Sequence, residues 1–140
     1  MPSVNPSAEQ FARFLEQVPE NRPIVMLNLL RYREQADYPA DFDATPCSGE
    51  EAYQRYGVVA AARVASVGGR LIWAGRADCT VIGPEAETWD TVVLVEYPSK
   101  QAFAEMIGQP EYQAVSPHRT AALADSRLVA TEAQANALGL

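Results

Sequence analysis

The chain has 140 residues, 48% hydrophobic and 21% charged, which suits one globular domain with its own core and excludes disorder of the whole chain. A formal net charge of -7 disfavours nucleic acid and membrane as partners, yet leaves room for an anionic small ligand, because one local arginine outweighs a distant net charge. Cys47 and Cys79 are too few for a disulfide framework. With no signal peptide visible at the N-terminus and no apolar run of spanning length, the expected location is the cytoplasm.

Residues 7–17, SAEQFARFLEQ, have the spacing of a short amphipathic helix, with Ser7 as cap, Gln10 three residues on, and Phe11, Phe14 and Leu15 on one face. The run IVMLNLL, 24–30, is the strongest strand signal, and Asn28 interrupts it with an amide that needs a partner. Residues 31–47 show no period. A connection of that length suits a functional lid, and its aspartates Asp37, Asp41 and Asp43 lack the glycine and closing glutamate of a calcium loop. Cys47, in this polar stretch, is open to two readings, an inert residue or a reactive thiol.

Ser48 and Glu51 form a capping box for a second helix, with Tyr53, Tyr56, Ala60 and Val64 near one stripe and Gly68-Gly69 at its end. Residues 70–83 read as a strand bent or bulged at Gly75, which puts Cys79 in the core. Residues 89–97, WDTVVLVEY, read as another strand with apolar residues on both faces. Helices should cover one face, so a second sheet is the simplest cover for the other. Ser99 caps a helix that Pro110 breaks, Ser116-Pro117 is expected to start the next, and 126–131 is a last strand. The order is a leading helix followed by βαββαβ, a ferredoxin-like α+β pattern with an antiparallel sheet. The expected organisation is an extension over 1–22, a domain over 23–132 and a small, polar C-terminal tail over 133–140, expected to be mobile.

The set Tyr53 and Tyr56, Gly68-Gly69-Arg70, Glu96-Tyr97-Pro98-Ser99, Pro110-Glu111-Tyr112-Gln113, Arg119 and Arg127-Leu128-Val129 resembles, in that order, the domain-of-unknown-function family 1330 of the dimeric α+β barrel superfamily. The leading helix and the 31–47 stretch exceed the compact family pattern. The resemblance implies a homodimer in which two open sheets close one barrel. Its wider superfamily includes cofactor-free oxygenases and isomerases, which by analogy of fold points to such an enzyme.

Candidate chemistry starts at His118, the only histidine. If Ser116 and Pro117 open a helix, His118 and Arg119 lie in its first turn, where the dipole favours a neutral imidazole and free N–H groups make an anion cradle. The competing readings are a solvated His118 and an Arg119 paired with Glu96 or Glu111. Tyr53, Tyr56 and Tyr112 either line a pocket or pack the core. Trp73 and Trp89 line a cavity or a dimer interface. Glu96 either carries a proton from a desolvated site or pairs with Arg70 or Arg119. No metal-ligand spacing or nucleotide motif is present, and no cofactor is expected.

These readings converge on a homodimer with one small organic ligand per protomer, without nucleic acid or membrane as partners. The pocket is expected between sheet and helices at Asn28, Tyr53, Tyr56, Trp73, Tyr112 and Arg119, under a lid formed by 31–47. In the enzyme version His118 or Glu96 moves a proton on a small organic acid or aromatic compound. The alternatives are a binding or stress-related module without turnover, and a barrel filled by side chains.

Overall fold

The computed structural model describes residues 1–134, so the tail expected over 133–140 falls, from residue 135, outside the described residues. Helix α1 is Ala8–Gln17, strand β1 Ile24–Tyr32, helix α2 Gly49–Ser66, strand β2 Arg70–Arg76, strand β3 Thr91–Tyr97, helices α3 and α4 Lys100–Gly108 and Pro110–Ala122, and strand β4 Leu123–Thr131. The four strands form one antiparallel sheet in the order β2-β3-β1-β4, the ferredoxin-like arrangement. No helix among the described residues is long and apolar enough to cross a membrane.

Serine caps set three of the helix starts. The side-chain oxygens of Ser7, Ser48 and Ser99 each accept from the backbone N–H three residues on, at Gln10, Glu51 and Ala102. Helix α2 stops where Gly68 takes a φ of 83°, and the N–H groups of Gly68 and Gly69 satisfy the carbonyls of Ala65 and Val64.

Helix α4 departs from the expected start at Ser116. It begins at Pro110, which occupies the first turn, and runs through Pro117 to Ala122. Proline has no N–H, so the Gln113 carbonyl loses its helical donor there, and the Ser116 hydroxyl donates to it instead at 3.2 Å. His118 and Arg119 therefore sit in the C-terminal half of a helix, and the dipole argument for an anion cradle at its N-terminus does not hold.

Strand β2 ends at Arg76, where β3 begins opposite it, and the Ala77 N–H bonds to the Asp90 carbonyl. Beyond that point no partner backbone among the described residues continues the ladder. Val81 and Ile82 are 88% and 94% exposed, and Cys79 is exposed with them. Cys47 has the opposite fate: it is buried with Leu30, Ala52, Ala122 and Leu123.

The bulge in β2 lies at Ile72, between Leu71 and Trp73, and not at Gly75. One extra residue reverses the alternation after it. Trp73 consequently pairs with Leu94 on the face away from the helices, and its ring covers Gly75, where a Cβ would come within 2.4 Å of it. That open face also carries Val25, Leu27, Leu29 and Val92, all intermediate in burial, and the exposed Val129.

The helix side has two buried clusters instead of one. Ile24, Met26, Tyr97, Ala102 and Met106 form the first, Leu30, Cys47, Ala52, Ala122 and Leu123 the second. Asn28 lies between Met26 and Leu30 on β1.

Candidate functional site

Helices α2 and α4 pack on each other and stand off from the sheet. The gap is a cavity of about 1220 Å³. Its floor includes Met26, Asn28, Val93 and Val95, and its roof is α2, where Tyr53, Tyr56, Gly57, Ala60, Ala61, Val64 and Ala65 recur at helical spacing on one face. Small residues along most of that face leave the space unfilled.

The polar groups gather at one part of this cavity. The Tyr56 and Tyr112 hydroxyls are 2.8 Å apart. The Tyr53 ring stands 5.2 Å from Tyr56 and 5.7 Å from Tyr32, centroid to centroid. Burial pushes the Tyr53 hydroxyl up to about 12, against the pull of the nearby Arg119. Burial also raises Tyr56 well above its ordinary value, aided by Tyr112 and Tyr53. Both hydroxyls thus keep their protons at neutral pH and can donate. Asn28 donates its amide to the carbonyls of Met26 and Val93, both at 3.3 Å, which turns its amide oxygen to other partners.

Arg119 lines the cavity and donates to the Val4 carbonyl at 2.6 Å. It pairs with neither of its expected carboxylates: Glu111 is taken by Arg63 at 3.3 Å and Glu96 by Arg70 at 2.9 Å. Among the described residues it has no ion pair. The lining contains Arg13, Arg70, Arg119 and Arg127 and not one aspartate or glutamate among the described residues. Arg70 is paired with Glu96, and Arg127 with Asp125 and Glu87, so Arg119 and the exposed Arg13 are the lining arginines without a carboxylate among the described residues.

The structure therefore brings together Asn28, Tyr53, Tyr56, Tyr112 and Arg119. Three expected site residues stand elsewhere. Trp73 is on the open face because of the bulge at Ile72. Glu96 lies on that same face, paired with Arg70, because it alternates with Tyr97 and Val95, which face the helices. His118 lies outside the cavity lining, where its Nδ1 is 2.7 Å from the Tyr38 hydroxyl. Tyr38 and Phe42 stack on each other at 5.6 Å, and each presents an edge-to-face contact to the imidazole, at 5.4 and 5.1 Å. Burial first, and then the Arg55 charge, lower the His118 value below that of a free histidine.

The expected lid is also elsewhere. Residues 33–47 contribute nothing to the lining, because backbone bonds tie the stretch to the end of α4 (Arg33 to Ala122, Asp37 to Ala121) and Arg55 holds Thr45. The N-terminal segment covers the cavity instead. Ser3 to Pro6 line it, and they are held by Ser3 N–H to Asp125 at 2.9 Å, Ser126 to the Ser3 carbonyl at 2.6 Å, and Arg119 to Val4. The Asp125 carboxyl is lowered: burial alone would raise it, and the Ser3 and Ser126 N–H groups with Arg127 outweigh that. Helix α1 follows, its C-terminal carbonyls at Leu15 and Val18 capped by Lys100.

Sequence reasoning missed Gly57, Ala61 and Ala65 as cavity formers. The available signal was a run of small residues at positions i, i+4 and i+8 beside the two tyrosines on one helix face. Among the described residues no group of three or more His, Cys, Asp or Glu side chains is placed to hold a metal ion.

Comparison with known proteins shows the family and the fold. A protein of unknown function from Rhodopseudomonas palustris is 38% identical, covering 96% of this chain and 99% of its own, with a TM-score of 0.88. A methylated form of that protein, at 40% identity, covers 97% and 98% with the same TM-score. A dimeric protein of unknown function and ferredoxin-like fold from Bacteroides fragilis is 16% identical over 79% of this chain and 96% of its own, at TM-score 0.51, and shares the fold alone. The same holds for a hydroxynitrile lyase from Passiflora edulis, 7% identical over 81% and 95%, at TM-score 0.53. No protein of curated function matches the chain. The family model described as Domain of unknown function (DUF1330) matches residues 45–133, and the chain belongs to that family.

Proposed function

We propose that the protein binds a small organic anion in the cavity between its sheet and helices. The observation that carries this reading is Arg119, a guanidinium on a lining that holds no aspartate or glutamate, free of any ion pair among the described residues and next to the Tyr53 hydroxyl, whereas Arg70 and Arg127 are paired with Glu96 and with Asp125 and Glu87. A guanidinium presents a planar fork to a carboxylate, and its hydrogen bonds are strengthened by charge. Tyr56, Tyr112 and the Asn28 amide oxygen supply orienting contacts for the rest of the ligand.

A cofactor-free enzymatic version, oxygenase- or isomerase-like, would draw on the same groups. Arg119 would hold an enolate, and the Tyr56–Tyr112 hydroxyl pair would stand as proton donor, since His118 and Glu96 lie outside the lining. The non-catalytic module needs only the binding contacts. Calorimetric titration of wild type and Arg119→Leu with benzoate, phenylpyruvate and butanoate tests the shared claim. Binding to wild type with at least a tenfold loss in the variant supports it, and equal affinities sink it. Any acid that binds is then incubated with the protein and followed for consumption, which separates enzyme from module.

A second copy of this chain covers the open sheet face in our reading. Val25, Leu27, Leu29, Val92, Leu94 and Trp73 make a contiguous apolar surface that one protomer leaves unpacked. The proposal predicts a dimer in sedimentation and a monomer for Leu27→Asp, whose charge would be buried without a partner. A wild-type monomer would overturn it.

A further inference from the structure

Towards α1 the covered part of the cavity is apolar, and the polar residues there, Gln10, Arg13, Gln17 and Arg70, are exposed. Passing along α2 from Tyr53 and Tyr56, the roof changes to Gly57, Ala61 and Val64, and the surroundings become those of the Met26 cluster, with Phe14, Phe103 and Ile107 packed around it. The volume of about 1220 Å³ exceeds the roughly 300–1,000 Å³ usual for small-ligand pockets. A short acid held at Arg119 would leave the apolar end in contact with water.

Two features show that this end is kept open. Glycine weakens a helix interior relative to alanine, yet a Cβ on Gly57 would meet nothing within 4 Å, so no close approach requires it. Helix α1 presents Phe11 and Phe14 to the cavity, and none of its residues is fully buried. Phe14 meets Phe103 edge-on at 5.6 Å, and Phe11 and Phe14 both remain only partly covered along the cavity.

We infer that the ligand is an amphipathic organic acid: one carboxylate at Arg119, and an apolar body of medium-chain acyl length running under α2 towards α1. This rests on the anion-binding reading of the same cavity and narrows it to a ligand class. The carboxylate meets Arg119 and the protonated tyrosines, while the chain replaces water against Val64, Phe103 and Ile107.

The experiment is calorimetric titration with the straight-chain acids butanoate, hexanoate, octanoate and decanoate, each below its aggregation threshold. Wild type should bind with affinity rising about two- to fourfold per added methylene. Arg119→Leu should lose at least tenfold across the series. Ala61→Leu, which narrows the apolar end, should flatten the rise while butanoate binds as before. Gly57→Leu gives the same readout should Ala61→Leu fold poorly. A flat series in wild type with Arg119-dependent binding of butanoate overturns the amphipathic class and leaves the anion site standing. Affinity that rises with length but ignores Arg119 overturns the carboxylate end, and with it both readings. Absence of binding by every acid does the same.

Discussion

Gly49 and Gly57 stand eight residues apart on one helix and meet opposite surroundings. A Cβ at Gly49 would come 2.2 Å from the Arg33 carbonyl oxygen and 2.6 Å from that of Ala122, both backbone atoms that cannot step aside. At Gly57 a Cβ would meet open space. The start of α2 is thus clamped between the end of β1 and the end of α4, with Leu30, Ala52 and Leu123 fully buried beside it. One turn past Tyr53 the same helix spans a void. Each end of the sheet has its own buried cluster, and the contrast lies within α2: its start is fixed by backbone on two sides, while its middle borders binding space, as functional elements often come from the less tightly packed part of a fold.

Substitutions can break this contrast, and the largest effect belongs to Gly49→Ala. Forcing a methyl group against two backbone carbonyls should cost about 3 kcal/mol or more, read as a fall in the urea midpoint. An unchanged midpoint would mean that the clamp is looser than its distances indicate. Leu30→Ala, at the same end, should cost about 2–5 kcal/mol, since it empties a fully buried site. Ile107→Ala, at the cavity, should cost about 1 kcal/mol, because its side chain is only partly covered and borders space that already exists. Gly57→Ala should run the other way and stabilise by about 0.5–1 kcal/mol, as expected for a helix-interior glycine with room for a methyl group. A destabilised Gly57→Ala would show that the void is not there in solution.

The smallest effect is a pH dependence at the clamped end. Arg55 donates to the Tyr38 hydroxyl at 3.3 Å, and that hydroxyl stands 2.7 Å from His118 Nδ1. A neutral imidazole accepts the Tyr38 proton; a protonated one would place a second cation beside Arg55. The folded-state value of His118 is lowered, by burial first and Arg55 second. Its contribution is therefore complete above the unfolded value, about 6.5, and is lost as pH falls through the folded value. Thermal midpoints between pH 7.5 and 5 should fall for wild type and fall less for His118→Gln. Parallel curves would remove His118 from the account.

Strands β1 and β3 were legible because their apolar runs and alternation are local, and the same pattern on both faces of β3 announced a face that one protomer leaves open. Three serine caps were legible for the same reason. Trp73 was misplaced because a single bulged residue reverses every later side chain, and nothing in the sequence singles out Ile72 for that role. The start of α4 was misplaced because Ser116-Pro117 has the composition of a helix start, while the Ser116 hydroxyl lets the helix run through. The two cysteines exchanged environments through long-range pairing: the 31–47 stretch is drawn onto α4, and β2 stops where β3 can no longer accompany it.

The sequence by itself determined the ferredoxin-like order, the antiparallel sheet, the tyrosine pair on α2 and the candidacy of Arg119, all of which depend on spacing within one element or on an ordered set of short motifs. Only the tertiary structure decided that Arg119 would be left without a carboxylate, that Glu96 and His118 would lie outside the cavity, and that the N-terminal segment would cover it in place of 31–47. Those outcomes follow from which groups reach one another across separations that run from 26 residues for Arg70 and Glu96 to 123 for Ser126 and Ser3. Pairings of that range are set by sheet register and helix packing together, and neither is written in the local pattern of any one segment.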